Sequence, residues 1–118
     1  MSNISNRRAA RDRQSDQDLA CAEYAAHLVA LAFGVSVEAI FDGGREVEAV
    51  RARQIAMYLT HIGNGLSLAR VGVAFGRDRA TVGYAIHRVE TWRDDPAFDA
   101  RLLSLEHAVR SAPAARFP

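Results

Sequence analysis

Glycines divide this chain into segments, and the segments between them carry the apolar spacing of α-helices. The breaks are Gly34, the pair Gly43-Gly44, the stretch 63–65 and Gly76. Glycine commonly follows the last turn of a helix, because it adopts the left-handed backbone conformation without a steric penalty. No stretch alternates apolar and polar residues over a useful length, so no β-strand is predicted. The pattern predicts an all-α fold, a compact bundle of about five to six helices in one domain.

Capping signals give the expected bounds of these helices. Ser15, with Asp18 three residues later, resembles a capping box and predicts that the first helix begins at residue 16. Asp78 is expected to cap another helix, and Pro96 suits the first position of the last one. The helices are predicted at 16–33, 37–41, 47–62, 68–75 and 79–93, with a last one from Asp95-Pro96. We expect a flexible basic arm over 1–15, a domain over 16–112 and a frayed tail over 113–118.

The predicted first helix is apolar on almost every side. Leu19, Ala26 and Phe33 share one face, while Tyr24 and Leu31 lie on the other. A helix of this kind is buried on more than one side. Either other helices surround it or part of it forms a homodimer surface, and both alternatives stay open.

Composition bounds the class of protein. No apolar run reaches the roughly 18 residues of a membrane span, and the polar, Arg-rich start does not resemble a secretory signal. We therefore expect a cytoplasmic bacterial protein with no membrane partner. The single cysteine, Cys21, excludes an internal disulfide, and the four histidines lack ligand spacing. We predict no catalytic residues, no metal site and no cofactor, and therefore no enzyme.

All fifteen basic residues are arginines, although the net charge is only +1. Codon usage in a GC-rich genome is the favoured explanation of this bias. Arginine nevertheless suits bidentate recognition of phosphates and guanine edges. Its distribution along the chain must decide between the two explanations.

The segment Ser67–Val89 has the spacing of a helix-turn-helix. Gly72 offers the small contact that lets two helices cross closely, Gly76 offers the turn, and Val82 offers the branched apolar side chain that sets the crossing angle. Taken alone, this pattern is loose and also fits an ordinary helical hairpin. The shared core is predicted to contain Val71, Phe75, Val82, Ala85, Ile86 and Val89.

A longer set of residues distinguishes a helix-turn-helix from an ordinary helical hairpin. The run RQIAMYL at 53–59, followed by Leu66-Ser67-Leu68, Phe75-Gly76 and Thr81-Val82, resembles the C-terminal DNA-binding domain of the bacterial replication initiator DnaA. The resemblance spans roughly residues 17–93. It implies a Trp-repressor-type helical bundle whose partner is double-stranded DNA, and hence a nucleoid-associated protein.

The resemblance also implies residue roles. Arg45 stands where the family places a minor-groove arginine, and Arg53 and Gln54 stand where it contacts the DNA backbone. Leu68 matches a position that lies against DNA, and Tyr84 and Arg88 match further backbone contacts. The segment that reads bases and holds phosphates in the major groove corresponds to Arg77, Asp78, Arg79, Ala80 and Thr81.

This sequence also departs from the family pattern, which commonly reads Gly-Gly-Arg-Asp-His-Thr-Thr. One glycine is absent, Arg79 replaces the histidine and Ala80 replaces the first threonine. Arg79 suits a guanine, whereas Ala80 offers only a methyl contact to thymine. Glu46 and Glu48 reduce the positive charge of the loop around Arg45. We expect a preferred DNA sequence that differs from the initiator's own box.

Three hypotheses follow. The first is a sequence-specific transcriptional regulator that reads the major groove with the helix after Arg77-Asp78. The second is a modulator or competitor of replication initiation at initiator boxes. The third is a protein-interaction module that uses the apolar first helix. Retention of Arg53, Arg77, Thr81 and Arg88 together favours the two DNA-binding hypotheses, since an interaction module does not need this set.

Overall fold

Of the six helices within residues 3–112, the third packs against the other five. The structure is a computed structural model that describes residues 3–112. All the regular structure in this range is helical, which confirms the all-α prediction. The helices are α1 (Asn3–Phe33), α2 (Val37–Phe41), α3 (Val47–Asn64), α4 (Leu68–Phe75), α5 (Arg79–Trp92) and α6 (Pro96–Arg110).

Short polar side chains begin four of these helices at the expected places. Ser67 accepts a hydrogen bond from the Arg70 N–H at the start of α4, and Asp95 accepts one from the Ala97 N–H at the start of α6. Ser36 and Asp78 do the same for α2 and α5. Each cap satisfies an amide that the first helical turn leaves without a partner.

The first helix is longer than predicted, because it begins at Asn3 rather than at residue 16. Ser15 lies inside it, so the predicted capping box is wrong. No glycine or proline interrupts residues 3–33, and alanine and arginine are strong helix formers. Once a helix has formed, each added residue also adds a hydrogen bond. The part of the predicted arm that the structure describes is therefore helical, with exposed side chains from Ser5 to Gln17.

Beyond that extension, α1 is buried on several sides by its own chain. Ala22, Ala25, Ala26 and Val29 are completely buried, and α1 packs against α2, α3, α4 and α6. Burial by neighbouring helices accounts for the apolar sequence of α1, with Leu31 left 86% exposed. A homodimer through this helix stays a prediction, as do the domain bounds. The predicted tail 113–118 lies outside the described residues.

Within the described range, no helix is both long enough and apolar enough to cross a membrane.

Candidate nucleic-acid interface

Helices α4 and α5 cross at a turn that leaves no room for a side chain on Gly72. A Cβ atom on this residue would lie 2.5 Å from the carbonyl oxygen of Arg77, which belongs to the backbone of the turn. The Arg77 N–H donates to the Gly72 carbonyl at 2.8 Å. Gly76 ends α4 in the left-handed conformation, with φ of +67°. The small contact predicted for Gly72 is thus present, although it is made to the turn and not to the body of α5.

The two helices share a buried apolar contact behind this turn. Val71 and Val82 are completely buried, and Phe75 is 3% exposed. Ala85 and Val89 on α5 are also buried, whereas Ile86 is only partly so. A fully buried valine contributes about 1.5–3 kcal/mol relative to an exposed one. This core fixes the angle at which the other face of α5 is presented.

The opposite face of α5 is exposed. Asp78 accepts a 2.7 Å hydrogen bond from the Thr81 N–H, and this bond lowers the pKa of the Asp78 carboxyl. The predicted cap is confirmed by this geometry, while a base contact by Asp78 stays a prediction. The exposed residues on the first three turns are Arg79, Ala80, Thr81, Tyr84, His87 and Arg88.

The loop that carries Arg45 is held against the turn between α4 and α5. The carbonyl of Asp42 accepts hydrogen bonds from Arg53 at 2.6 Å and from Arg77 at 2.9 Å. Nearby, Phe41 stacks on Phe75 with ring centroids 5.1 Å apart. The loop and the turn are therefore joined by both polar and apolar contacts.

Arg53 differs from its predicted role. It is only 7% exposed, and its Nε and Nη2 atoms donate to the carbonyls of Ile40, Ala39, Asp42 and Gly44 at 2.6–3.1 Å. Burial lowers the pKa of its guanidinium, and the positive charge of Arg77 lowers it further. A contact to the DNA backbone was expected, but the geometry gives Arg53 the internal role of holding the loop after α2.

Four of the predicted residues meet at one groove between the first half of α3 and the outer face of α5. We call it the α3–α5 groove, and its lining is Arg45, Val47, Val50, Arg51, Gln54, Tyr84, Arg88 and Trp92. Leu68 lies apart from it, half-buried at the start of α4 and close to Gly83. Arg77, Asp78, Arg79, Ala80 and Thr81 occupy the turn and the first turn of α5.

Four members of the groove, Val47, Val50, Arg51 and Trp92, are absent from the sequence-based prediction of DNA contacts. The Arg51 guanidinium lies 4.7 Å from the centre of the Trp92 ring. Tyr84, Arg88 and Trp92 are spaced at every fourth residue and therefore share a helix face. This spacing could have indicated that Trp92 lies beside the two predicted residues. The partnership with Arg51 crosses 41 positions of sequence, so no local pattern could have indicated it.

Polar contacts outside the groove join the helices of the domain to one another. Arg70 makes a bidentate pair with Asp18 at 2.7 and 2.9 Å, which joins α4 to α1. Arg93, at the end of α5, donates to the Tyr58 hydroxyl at 2.7 Å and to Asp99 at 2.6 Å. These contacts tie α5 to both α3 and α6.

Comparison with known proteins places these features in a family. The sequence profile described as "Bacterial dnaA protein helix-turn-helix" matches residues 23–89. The chain is 42% identical over 77 residues to the chromosomal replication initiator protein DnaA of Corynebacterium jeikeium, which covers 64% of this chain and 13% of that protein. It is 40% identical over 73 residues to DnaA of Thermodesulfovibrio yellowstonii, covering 61% of this chain and 17% of that protein.

A solved structure agrees with these matches. A crystal structure described as that of a DNA replication initiation factor superposes with a TM-score of 0.74 at 30% identity, covering 84% of this chain and 31% of the other. The chain thus spans less than a third of the length of these relatives. The resemblance to the DnaA domain predicted from the sequence is confirmed, as is the helix-turn-helix.

Proposed function

The chain belongs to the family of bacterial DnaA helix-turn-helix domains, and we propose that it acts on replication initiation by binding double-stranded DNA at initiator-type boxes. In this role it modulates the initiator or competes with it for sites. The relatives are chromosomal replication initiator proteins, which favours this function over the transcriptional regulator that the sequence first suggested.

One observation carries the proposal. The first turn of α5 exposes Arg79, Ala80 and Thr81 together, while α5 packs against α4 through buried side chains. The N-terminal residues of a recognition helix are those that reach base edges in the major groove. The positive end of the helix dipole points the same way and favours phosphate.

The remaining predicted residues fit around a duplex seated on this turn. Arg45, exposed on the loop after α2, reaches toward the neighbouring minor groove. Gln54, Tyr84 and Arg88 lie along the α3–α5 groove and contact the backbone. Arg77 is half-buried and already donates to Asp42, so it supports both the loop and a phosphate.

The sequence read by the chain follows from its departures from the family pattern. The exposed Arg79 donates two hydrogen bonds to the O6 and N7 atoms of guanine, a bidentate contact that a histidine does not make. Ala80 makes at most an apolar contact with a thymine methyl group, since its side chain forms no hydrogen bonds. The bound boxes are therefore related to the initiator's own box and differ from it where these two residues face the bases.

Selection of duplexes from a random pool, followed by footprinting on DNA that carries initiator boxes, tests the proposal. Arg79→Ala is expected to lose about 1–3 kcal/mol of discrimination at a single position of the selected site. Arg110→Ala, which removes an exposed arginine from α6, is the control and keeps the parent's preference. An Arg79→Ala variant that binds every randomised duplex as well as the parent does would refute base reading by this helix.

The same experiment distinguishes the replication role from the second candidate function, a transcriptional regulator. A transcriptional regulator is favoured by the substitutions at Arg79 and Ala80, since they move the preferred sequence away from initiator boxes. Protection of selected promoter sites without protection of initiator boxes would support the regulator and refute the replication role.

A further inference from the structure

The α3–α5 groove concentrates positive charge that the protein itself does not neutralise. Three arginines line it, and none of its other lining residues is acidic. Within residues 3–112, the ion pairs with carboxylates are made by Arg70, Arg93 and Arg110. The arginines of the groove are Arg45, Arg51 and Arg88. They therefore remain available to a negatively charged partner.

An aromatic ring holds two of these arginines in place. The centre of the Trp92 ring lies 4.7 Å from the Arg51 guanidinium carbon and 5.4 Å from that of Arg88. Arg88 also donates to the Tyr84 hydroxyl at 3.3 Å. The ring of Trp92 is fixed in turn by Phe98, which meets it nearly at right angles, at 88° with centroids 6.0 Å apart.

This arrangement suits a phosphate group. A guanidinium held near an aromatic ring by cation–π attraction still presents its N–H donors at its edges. Fixing the side chain beforehand also reduces the rotamer entropy lost on binding, which is otherwise large for arginine. Arg51 on α3 and Arg88 on α5 thus both offer N–H donors beside one indole.

The position of the groove identifies its occupant. It runs from Arg45 on the loop after α2 to Tyr84 and Arg88 on the outer face of α5, and so connects the element proposed to enter the minor groove with the one proposed to enter the major groove. The DNA backbone is the part of a duplex that separates its two grooves. A duplex that engages both elements places its backbone along this groove.

We propose that Arg51 and Arg88 clamp a phosphate of the bound duplex and that Trp92 is the residue that positions them. The inference rests on the proposed function, because it requires a duplex on this face. It adds Arg51 as a phosphate contact and Trp92 as a positioning residue. It also makes the affinity of the chain depend on a ring that touches neither a base nor a phosphate.

Salt dependence separates these roles. The full chain is titrated with a duplex carrying its selected site between about 50 and about 200 mM salt, and log Kd is plotted against log salt. Loss of one phosphate contact reduces the slope by about 0.9. The ratio of the Kd of Arg51→Ala to that of the parent should therefore fall about 3.5-fold between the lowest and the highest salt concentration. Trp92→Leu keeps both charges, so its affinity should fall while its slope stays close to the parent's.

The control is Arg110→Ala, which removes an arginine that is ion-paired with Glu106 and lies at the far end of α3, close to Ile62. Its slope should change much less than that of Arg51→Ala. Phosphate ethylation provides the second measurement: modification of one backbone position should weaken binding by the parent and by Arg110→Ala strongly, and binding by Arg51→Ala less, because only Arg88 still contacts that phosphate in this variant. This comparison uses no tryptophan variant, so it holds even if Trp92→Leu fails to fold.

Equal slopes for Arg51→Ala and Arg110→Ala, or an ethylation pattern that Arg51→Ala leaves unchanged, would overturn the clamp while duplex binding stands. Failure of the parent chain to bind any selected duplex would refute the proposed function, and the clamp with it. A reduced slope for Arg51→Ala, together with a smaller effect of ethylation at one phosphate, supports the clamp.

Discussion

Replacing Gly72 by alanine tests whether the close crossing of α4 and α5 sets the geometry of the interface. The new Cβ would lie 2.5 Å from the Arg77 carbonyl oxygen, so the backbone of the turn must move by about half an ångström or more. Forcing an extra methyl group into a packed site costs about 1–3 kcal/mol, and we expect the upper end because the opposing atom belongs to the backbone. Alanine also favours a helix over glycine by about 1 kcal/mol. The net loss in the free energy of unfolding is therefore about 2 kcal/mol.

Urea unfolding, followed by circular dichroism, measures this loss. With a slope of about 1–2 kcal/mol per molar urea, the midpoint for Gly72→Ala should fall by about 1–2 M. Gly83→Ala is the matched control, since its Cβ would lie 3.8 Å from the Leu68 side chain, an ordinary contact. That variant gains helix propensity without strain, so its midpoint should rise.

The two alanine variants also differ in what they do to α5. The turn that moves in Gly72→Ala carries Arg77 and Asp78, so the first turn of α5 shifts with it and the selected duplex should bind more weakly. A Gly72→Ala protein as stable as the parent, with unchanged affinity for the selected duplex, would refute the argument that this contact fixes the recognition turn.

Three further predictions concern single contacts. Tyr58→Phe removes the hydroxyl that accepts from Arg93 at 2.7 Å and should lower the free energy of unfolding by about 1 kcal/mol; an unchanged urea midpoint would show that this bond is not stabilising. Arg53→Lys replaces a fork of donors by one ammonium group, so some of its four carbonyl partners lose their hydrogen bonds. A loss of about 1–3 kcal/mol is expected in the same assay, and a midpoint equal to the parent's would contradict the internal role. The lowered pKa of Asp78 means that its ionised form stabilises the fold above the ordinary value of 3.8, and that this contribution disappears as the pH falls through the lower folded value. Asp78→Asn keeps a capping oxygen but does not titrate. The difference in the free energy of unfolding between parent and variant should therefore shrink as the pH falls below 3.8 and through the lowered pKa of Asp78. A difference that stays constant through the acid range would contradict this.

The local features of the interface could be predicted from sequence because each depends on neighbours within one helical turn. Gly76 adopts the left-handed conformation and Asp78 caps α5 through Thr81, three residues away. The periodic burial of Val82, Ala85 and Val89 follows from the geometry of a helix. These signals were sufficient for an all-α fold with a helix-turn-helix, and the match to a family pattern added the class of partner.

Tertiary structure decided the roles of the charged side chains, because their partners lie far away along the chain. Asp18 was expected to help cap a helix, yet it pairs with Arg70, 52 positions later. Arg53 was expected to face DNA, yet it is buried beneath the loop that carries Arg45. An arginine has the same charge and reach in either role, so the sequence does not distinguish a phosphate contact from an internal donor. Only the packing of α2 and α5 against α3 determines which guanidinium groups are enclosed and which remain exposed beside Trp92.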